Sequence, residues 1–140
     1  MCINRRLKKQ VMNEKKIIQI AANTDCFGLK RNMPLKVKVK NKVCGDEIEI
    51  ETNKELTELR FETQSCIFTQ ASAAILANNI NLIGKHDVNE ILKIMKQKLE
   101  GQRVVLPFKN KELDFLLLEE HKPRKECIAL PFNAVIKAIS

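Results

Sequence analysis

The chain has 140 residues, of which 44% are hydrophobic and 30% are charged. This size fits one domain with a single core, and this balance is typical of a folded rather than a disordered protein. The net charge of +8 favours an acidic partner, and no zinc-finger spacing or RNA-recognition signature indicates nucleic acid. No apolar stretch approaches the roughly 20 residues that cross a bilayer, and no secretion signal is visible. We therefore expect a cytoplasmic protein with neither a membrane nor a nucleic-acid partner.

The first half of the chain predicts one helix followed by three strands. Residues 4–21 are basic and moderately apolar, and the helix they predict ends in a turn-rich stretch that closes at Gly28. Two stretches then alternate apolar with charged residues, as half-buried strands do. A third strand is expected over about residues 56–63. The apolar positions of the two alternating strands are Leu35, Val37, Val39, Ile48 and Ile50.

Residues 41–46 join the two alternating strands, so we expect a hairpin. Its outer face would carry a row of lysines beside a row of glutamates, and opposite charges across a strand pair stabilise the pair by about 0.2–1 kcal/mol each. This pairing requires no functional role for the lysines. A nucleic-acid-binding module that uses these lysines together with Lys42 is a further hypothesis, but the adjacent glutamates would neutralise that face. The two rows are Lys36, Lys38 and Lys40, and Glu47, Glu49 and Glu51.

The second half predicts helices. An Ala-rich helix follows Cys66, and an amphipathic helix begins after Asp87, a candidate N-cap, and is closed by Gly101. A last helix is expected to begin near Pro131, since proline is favoured in a first turn. The predicted fold class is α+β, a single domain in which helices cover one face of a three-stranded antiparallel sheet.

Three of the five cysteines occupy positions suited to chemistry. Cys44 and Asp46 flank Gly45 at the hairpin tip, where a glycine permits a tight turn that aims both side chains at one point. Cys66 and Cys127 each precede a predicted helix, and helix N-termini favour thiolates. Three thiolates and a carboxylate can hold zinc or an iron–sulfur cluster. On spacing alone, isolated buried thiols and an aspartate that serves only the turn remain open alternatives.

Three segments resemble a known family. They read VCGDEIEIE, LRFETQSCIFTQASAAIL and RKECIALPFNAVIKAI. They are similar, in order, to the three hallmark segments of the SufU/IscU-type family of iron–sulfur cluster assembly proteins, which is NifU N-terminal-like. The resemblance covers residues 35–80 and 123–139. It implies that residues 1–140 form one such domain, with residues 1–28 as a divergent N-terminal helical segment.

The spacing of the second and third cysteines resembles the SufU type. Cys66 and Cys127 are 61 positions apart, and SufU-type members carry an insertion in this gap, which implies that residues 84–123 are that insertion. The Leu-Pro-Pro-Val-Lys motif of IscU-type members is absent, and Glu126 stands where they have histidine.

The resemblance also implies a function. The protein would accept sulfur from a cysteine desulfurase, hold a nascent cluster or zinc, or do both, at Cys44, Asp46, Cys66 and Cys127. Cys44 would be the sulfur acceptor, and Asp46 an exchangeable ligand. Arg124 would bias nearby thiols toward thiolate. The implied cofactor is zinc or a transient [2Fe–2S] cluster, and the implied partners are the desulfurase and cluster-accepting proteins. Such a protein is a scaffold or zinc-dependent sulfur acceptor rather than a conventional enzyme.

Simpler interpretations stay open beside this one. The chain could be a small zinc-stabilised interaction protein that has lost sulfur transfer, in which the metal only holds the fold. Arg124 could be an ordinary solvated charge. His86 and His121 have no metal-ligand spacing, so both are predicted to lie at the surface.

Overall fold

The computed structural model describes residues 5–43 and 45–140, with side chains from residue 13 onward. Cys44, the predicted sulfur acceptor, lies outside the described residues. Three strands form one antiparallel sheet in the order β1-β2-β3, and helices pack against it, so the predicted α+β class is confirmed. The strands are β1 (Leu35–Lys40), β2 (Glu47–Thr52) and β3 (Leu59–Gln64). The helices are α1 (Arg5–Ala22), α2 (Ile67–Asn78), α3 (Ile80–Ile83), α4 (Val88–Leu99), α5 (Lys111–Leu116) and α6 (Lys125–Ile139), with a 3-10 helix at Glu119–Arg124 before α6.

The inner face of the sheet and the helices share the core. Ile50 and Phe61 are directly opposite each other on β2 and β3, and both are buried. Helix α6 packs against β1, β2, α2 and α4, while α1 packs against α2. Burying a side chain such as Ile50 stabilises the fold by about 1.5–3 kcal/mol. The alternation seen in the sequence therefore places one face of each strand against the helices.

The outer face carries the two predicted charge rows in register. Lys38 is opposite Glu49, and the other two lysines of β1 are opposite Glu51 and Glu47. Glu51 departs from the prediction because it is only 1% exposed. One of its carboxylate oxygens accepts hydrogen bonds from the backbone N–H groups of Lys30 and Arg31, which lie on the segment that follows α1. This segment covers one end of the glutamate row.

The segment after α1 also attaches to the edge of β3. Gly28 donates its N–H to the carbonyl of Phe61 over 2.8 Å, and Phe61 donates its N–H to the carbonyl of Cys26 over 3.1 Å. The Arg60 side chain donates to the carbonyls of Phe27 and Gly28. These bonds fix the segment beside the sheet, which it joins through the isolated bridge between Phe27 and Phe61.

Helix α4 confirms the predicted amphipathic helix. The Asp87 carboxylate accepts from the N–H of Asn89 and caps the helix, and Gly101 follows its end with φ +80°. Gly84, in the turn before α4, lies against the connection between β2 and β3. A Cβ at Gly84 would lie 2.5 Å from the carbonyl oxygen of Leu56 and 2.6 Å from its Cβ. The backbones meet here without room for a side chain.

The last helix begins earlier than predicted. It starts at Lys125, so Pro131 lies inside α6 and Cys127 lies in its first turn rather than before it. An interior proline removes one helical hydrogen bond, because it has no N–H to donate to the carbonyl four residues earlier. Here that carbonyl belongs to Cys127, and it accepts the Thr69 hydroxyl instead, over 3.0 Å. The Thr69 hydroxyl on α2 thus donates to the Cys127 carbonyl in place of the N–H that Pro131 lacks.

In the described part of the chain, no helix is long and apolar enough to cross a membrane.

Candidate metal centre

Three of the four predicted ligands meet at one end of the sheet. Asp46 precedes β2, Cys66 is the N-cap residue of α2, and Cys127 lies in the first turn of α6. One ligand atom from each lies within 4.8 Å of the other two. Residues 20 and 61 positions apart along the chain are thereby brought into one cluster, and the fourth predicted ligand, Cys44, is outside the described residues.

The hairpin directs Asp46 inward. Gly45 has φ +76°, a conformation that glycine adopts without steric cost. The N–H of Gly45 bonds the carbonyl of Asn41 over 2.8 Å, and the N–H of Asn41 bonds the carbonyl of Asp46 over 2.7 Å. Because side chains of a strand alternate between faces, Asp46 shares the inner face with Ile48. Its side chain is accordingly buried.

Thr69 links the three ligands. It is fully buried on the first turn of α2. Its hydroxyl oxygen lies 2.8 Å from Asp46 Oδ2, 3.0 Å from the carbonyl oxygen of Cys127 and 3.7 Å from Cys66 Sγ. The backbone N–H of Cys66 donates to Asp46 Oδ1 over 3.2 Å. Both oxygens of the Asp46 carboxylate therefore have hydrogen-bond donors from α2.

These donors keep Asp46 ionised despite its burial. Burial raises the pKa of the Asp46 carboxyl, but hydrogen bonds from the Thr69 hydroxyl, from the Cys66 thiol and N–H and from the Cys127 thiol outweigh it. The net effect holds the pKa of Asp46 below its ordinary value. A buried carboxylate that remains anionic is a ready cation ligand.

The cluster fits a thiophilic metal ion. A tetrahedral zinc ion bound to two thiolates at about 2.3 Å holds their sulfurs roughly 3.8 Å apart. Ligand atoms that already lie within 4.8 Å of one another need only small movements to reach that spacing. Two sulfurs and one oxygen leave a fourth position, for which the predicted candidate is Cys44. The donor set suits zinc or iron rather than magnesium or calcium, which prefer oxygen ligands alone.

The other predicted residues lie around this cluster. Arg124 ends the 3-10 helix, and its guanidinium carbon lies 5.8 Å from the centre of the Phe68 ring, two residues beyond Cys66. The surface prediction for His121 is wrong: its ring is buried against Phe68 and Phe115, and its Nδ1 lies 3.0 Å from the carbonyl oxygen of Leu116. A polar ring flanked by aromatic side chains gives no spacing signal in the sequence.

Thr69 was missed by sequence reasoning. The only available signals were its place three residues after Cys66, one helical turn on, and the proline four residues after Cys127. The first puts the hydroxyl on the same face of α2 as the cysteine. The second leaves a carbonyl that needs a donor. Neither signal is specific, since both also occur in helices without a site.

The fold and this cluster together define a small α+β protein with a thiol and carboxylate cluster at one end of its sheet. The model of the NifU-like N-terminal domain matches residues 12–139, and the chain belongs to this family. The predicted family is therefore confirmed. No curated protein matches the chain.

Solved structures share the fold. A protein of Fervidobacterium islandicum AW-1, described as a candidate iron–sulfur cluster assembly scaffold protein for the SUF system, superposes with a TM-score of 0.73 at 19% identity, covering 90% of this chain and 95% of that one. A nitrogen-fixing NifU-like protein (N-terminal) of Brucella abortus gives 0.68 at 21%, covering 89% and 90%. A hypothetical protein gives 0.71 at 20%, covering 93% and 98%. At these identities the likeness concerns the fold alone.

Proposed function

We propose that this protein works in iron–sulfur cluster assembly, binding a metal ion or a nascent cluster at Asp46, Cys66 and Cys127 together with Cys44. The observation that carries the proposal is the meeting of a buried, ionised carboxylate and two thiols at 4.8 Å or less in a member of the NifU-like N-terminal family. The two neighbours described as scaffold and NifU-like proteins are consistent with it. Zinc and a transient [2Fe–2S] cluster are the two cofactors considered, and both favour thiolate ligands.

Sulfur would arrive as a persulfide on a cysteine desulfurase. A thiolate of this protein attacks the outer sulfur, a new S–S bond forms, the old S–S bond breaks, and the desulfurase thiolate leaves with the electron pair. We assign the attacking thiolate to Cys44. Its neighbour Val43 is 93% exposed, whereas Cys127 is buried, so the hairpin tip is the side from which a partner protein can approach.

The other residues of the cluster would support this transfer. A bound metal would keep the thiolates deprotonated. Asp46 supplies an oxygen ligand among sulfurs, which binds a thiophilic ion less firmly than a thiolate does and so permits exchange. Arg124, the residue before α6, lies 5.8 Å from the ring of Phe68 in the first turn of α2, and its charge would favour the thiolate forms of Cys66 and Cys127. Residues 84–123 would be a SufU-type insertion, as the 61 positions between Cys66 and Cys127 suggest, and cytoplasmic cluster-accepting proteins would take the product.

One observation favours a second candidate, a zinc site that only holds the fold. The three ligands lie on three separate elements, the hairpin and the starts of α2 and α6. A metal ion there would cross-link them and stabilise the fold. A purely structural site would resist chelators and would not exchange its ligands. Sulfur acceptance by the loaded protein would exclude this alternative.

The test is the metal and acid-labile sulfide content of protein purified without oxygen, measured for the wild type, Cys66→Ala and Cys26→Ala. Cys26 is the matched control because it is a half-buried thiol outside the cluster. We expect about one zinc per chain, or iron with sulfide, in the wild type and Cys26→Ala, and its loss in Cys66→Ala. Mass spectrometry after incubation with a desulfurase and cysteine should show added sulfur that Cys44→Ala lacks. Absence of metal from the wild type under every condition would refute the proposal.

A further inference from the structure

The two edges of the sheet differ in what covers them. The edge at β3 is occupied, because Phe61 exchanges main-chain hydrogen bonds with Cys26 and Gly28. The other edge is formed by β1. Within residues 5–43 and 45–140, main-chain hydrogen bonds to β1 come from β2 alone. The β1 edge is therefore open, and an open edge is a place where a further strand can be added.

The register shows which main-chain groups face this open edge. The N–H of Asn41 donates to the carbonyl of Asp46, so this pair is hydrogen-bonded across the hairpin. Hydrogen-bonded pairs alternate along an antiparallel ladder, which directs the main chain of Val39 and of every second residue before it toward β2. The N–H and C=O groups of the remaining residues point away from β2. These residues are Lys36, Lys38 and Lys40.

The same three residues, the edge lysines, also place positive charge beside the open edge. Their side chains are exposed on the outer face of the sheet. Lys38 forms an ion pair with Glu47 over 2.7 Å, but among the described residues Lys36 and Lys40 form none. A strand added at this edge would lie about 4.8 Å from β1 and twice as far from β2. Its carboxylates would therefore lie closer to the edge lysines than to the glutamates of β2.

The apolar side of the sheet is incompletely covered at this edge. Ile48 and Ile50 of β2 are fully buried, whereas Val37 and Val39 of β1 are only partly buried. Apolar side chains on the inner face of an added strand would cover the exposed part of these valines. The open edge therefore suits a segment in which acidic residues alternate with apolar ones.

A second copy of this chain is a poor occupant of the edge. If two β1 strands paired with their lysines on the same face, each edge lysine would lie opposite a lysine, and opposed like charges destabilise a strand pair. Sliding one strand by a single residue would instead turn its lysines to the apolar face. Lysines on natural sheet edges prevent this kind of self-association. The charge pattern thus favours an acidic strand over β1 itself.

We propose that the open edge of β1 binds an extended acidic segment of a partner protein as an additional, antiparallel strand. Each acidic residue of the segment exchanges main-chain hydrogen bonds with an edge lysine and places its carboxylate beside that lysine on the outer face. The alternate residues of the segment are apolar and extend the inner face. This interaction requires no metal ion, so it does not depend on the proposed metal centre.

The probe is a short fluorescent peptide in which glutamate alternates with valine, titrated into the wild-type protein and followed by fluorescence anisotropy. N-methylation of its glutamates removes the N–H groups that face the edge lysines and should weaken binding at least about tenfold. N-methylation of its valines alters only the far edge of the peptide and should change the affinity by less than about threefold. The two methylated peptides have the same charge, so they separate strand addition from simple attraction between charges.

Amide hydrogen exchange identifies the strand to which the peptide binds. In the free protein the amides of the edge lysines should exchange faster than those of Val37 and Val39, which face β2. Bound peptide should slow exchange at the edge lysines by at least about tenfold and leave the two valines unchanged. Binding that slows exchange elsewhere, or nowhere, would overturn the proposal.

Variants of the edge lysines provide a second test. Lys38→Pro removes an outward N–H, which an edge strand tolerates, and should weaken peptide binding at least about tenfold, whereas Lys38→Ala keeps this N–H and should weaken it only about threefold. Lys36→Gln combined with Lys40→Gln should weaken binding several-fold. The matched control is Lys85→Gln with Lys93→Gln, which removes the same charge from exposed positions away from the sheet. The control should change the affinity by less than about twofold.

The proposal is wrong if the peptide does not bind at concentrations up to about 1 mM, or if both methylated peptides bind equally well. Equal losses from the two pairs of lysine variants would show that only the overall charge attracts the peptide, which also contradicts it. A single-stranded oligonucleotide that binds the edge lysines more tightly than the peptide would assign them to nucleic acid instead. Should Lys38→Pro fail to fold, which faster exchange at Val37 would reveal, the two methylated peptides decide on the wild-type protein.

Discussion

Asp46 and Glu47 are consecutive carboxylates in opposite surroundings. Asp46 faces the helices, where the Thr69 hydroxyl and the Cys66 N–H donate to it. Glu47 faces outward and forms an ion pair with the Lys38 Nζ over 2.7 Å. The pKa of both carboxyls is lowered, in Glu47 chiefly by the hydrogen bond from Lys38 and in Asp46 by uncharged donors that overcome burial. One step along a strand thus separates a candidate ligand from an ordinary surface charge.

A similar contrast holds between the middle and one end of the outer glutamate row. Glu49 lies between Lys38 on one strand and Glu62 on the other, and it is half-buried. Glu51 is buried and bonds the backbone that follows α1. Among the buried side-chain nitrogen and oxygen atoms of the described residues, the second carboxylate oxygen of Glu51 is the one without a hydrogen-bond partner. We therefore expect the more deeply buried carboxylate, that of Glu51, to contribute more to the stability of the fold.

The largest effect should separate Asp46 from Glu47 in metal binding. Asp46→Ala removes a proposed ligand from the cluster, and we expect zinc affinity to fall by at least about tenfold, the scale on which even supporting residues act. Glu47→Ala removes a neighbouring carboxylate of the opposite face and should leave affinity nearly unchanged. Chelator competition on both variants measures the difference. Equal losses in the two variants would show that only the general negative charge of the hairpin attracts the metal.

A smaller effect should separate Glu51 from Glu49 in stability. Glu51→Ala leaves the N–H groups of Lys30 and Arg31 without their acceptor, and we expect the free energy of unfolding to fall by about 1–3 kcal/mol. Glu49→Ala removes a half-buried side chain that lies between a lysine and a like charge, so the change should stay within roughly 0.5 kcal/mol. Urea unfolding followed by circular dichroism compares them. A loss in Glu49→Ala as large as that in Glu51→Ala would contradict the role given to burial.

The smallest effect concerns pH and salt in the metal-free protein. Because the folded-state pKa of Asp46 is lowered, its contribution to stability is present above the ordinary Asp pKa of about 3.9 and is lost as the pH falls through the folded value. The stability difference between wild type and Asp46→Asn should therefore shrink below about pH 4.

Salt distinguishes the two carboxylates in this comparison. The stability difference between the wild type and Glu47→Gln should also shrink at low pH, since the pKa of Glu47 is lowered as well. Added salt near 1 M, where the Debye length is about 3 Å, should remove that difference at neutral pH while leaving the Asp46 difference largely in place. Unfolding curves at several pH values and two salt concentrations test both statements. An Asp46 difference that salt abolishes would mean that solvent reaches the cluster.

The strands and most helices could be predicted because their periodicity is strong. The alternation of Leu35 to Lys40 and of Glu47 to Ile50 specifies two half-buried strands, and the spacing of apolar residues after Asp87 specifies α4. The start of α6 could not be predicted, since Pro131 is favoured in a first turn on local grounds. Inside the helix, the carbonyl of Cys127 accepts the hydroxyl of Thr69, which lies 62 positions before Pro131.

The ligands of the candidate site could be predicted from the sequence, but the groups that surround them could not. The resemblance of three short segments pointed to Asp46, Cys66 and Cys127 together, and the fold brings them into one cluster. The burial of Glu51 and of His121 depends on contacts with segments distant in sequence, which no local pattern encodes. Thr69 belongs to the same category, because its importance comes from two acceptors on two other elements. Local patterns thus identify ligands more readily than the groups that orient them.

The close approach at Gly84 has a consequence for how this sequence can evolve. The backbone there touches Leu56 so closely that even one added methyl group would have to displace main-chain atoms. A clash between two backbones cannot be relieved by a compensating change in a neighbouring side chain, as a clash in the core often can. Substitution of Gly84 should therefore be disfavoured on steric grounds, although Gly84 lies outside the candidate metal centre. If relatives also have glycine at this position, the reason would be the close packing of the segment after α3 against the sheet, and not ligand binding.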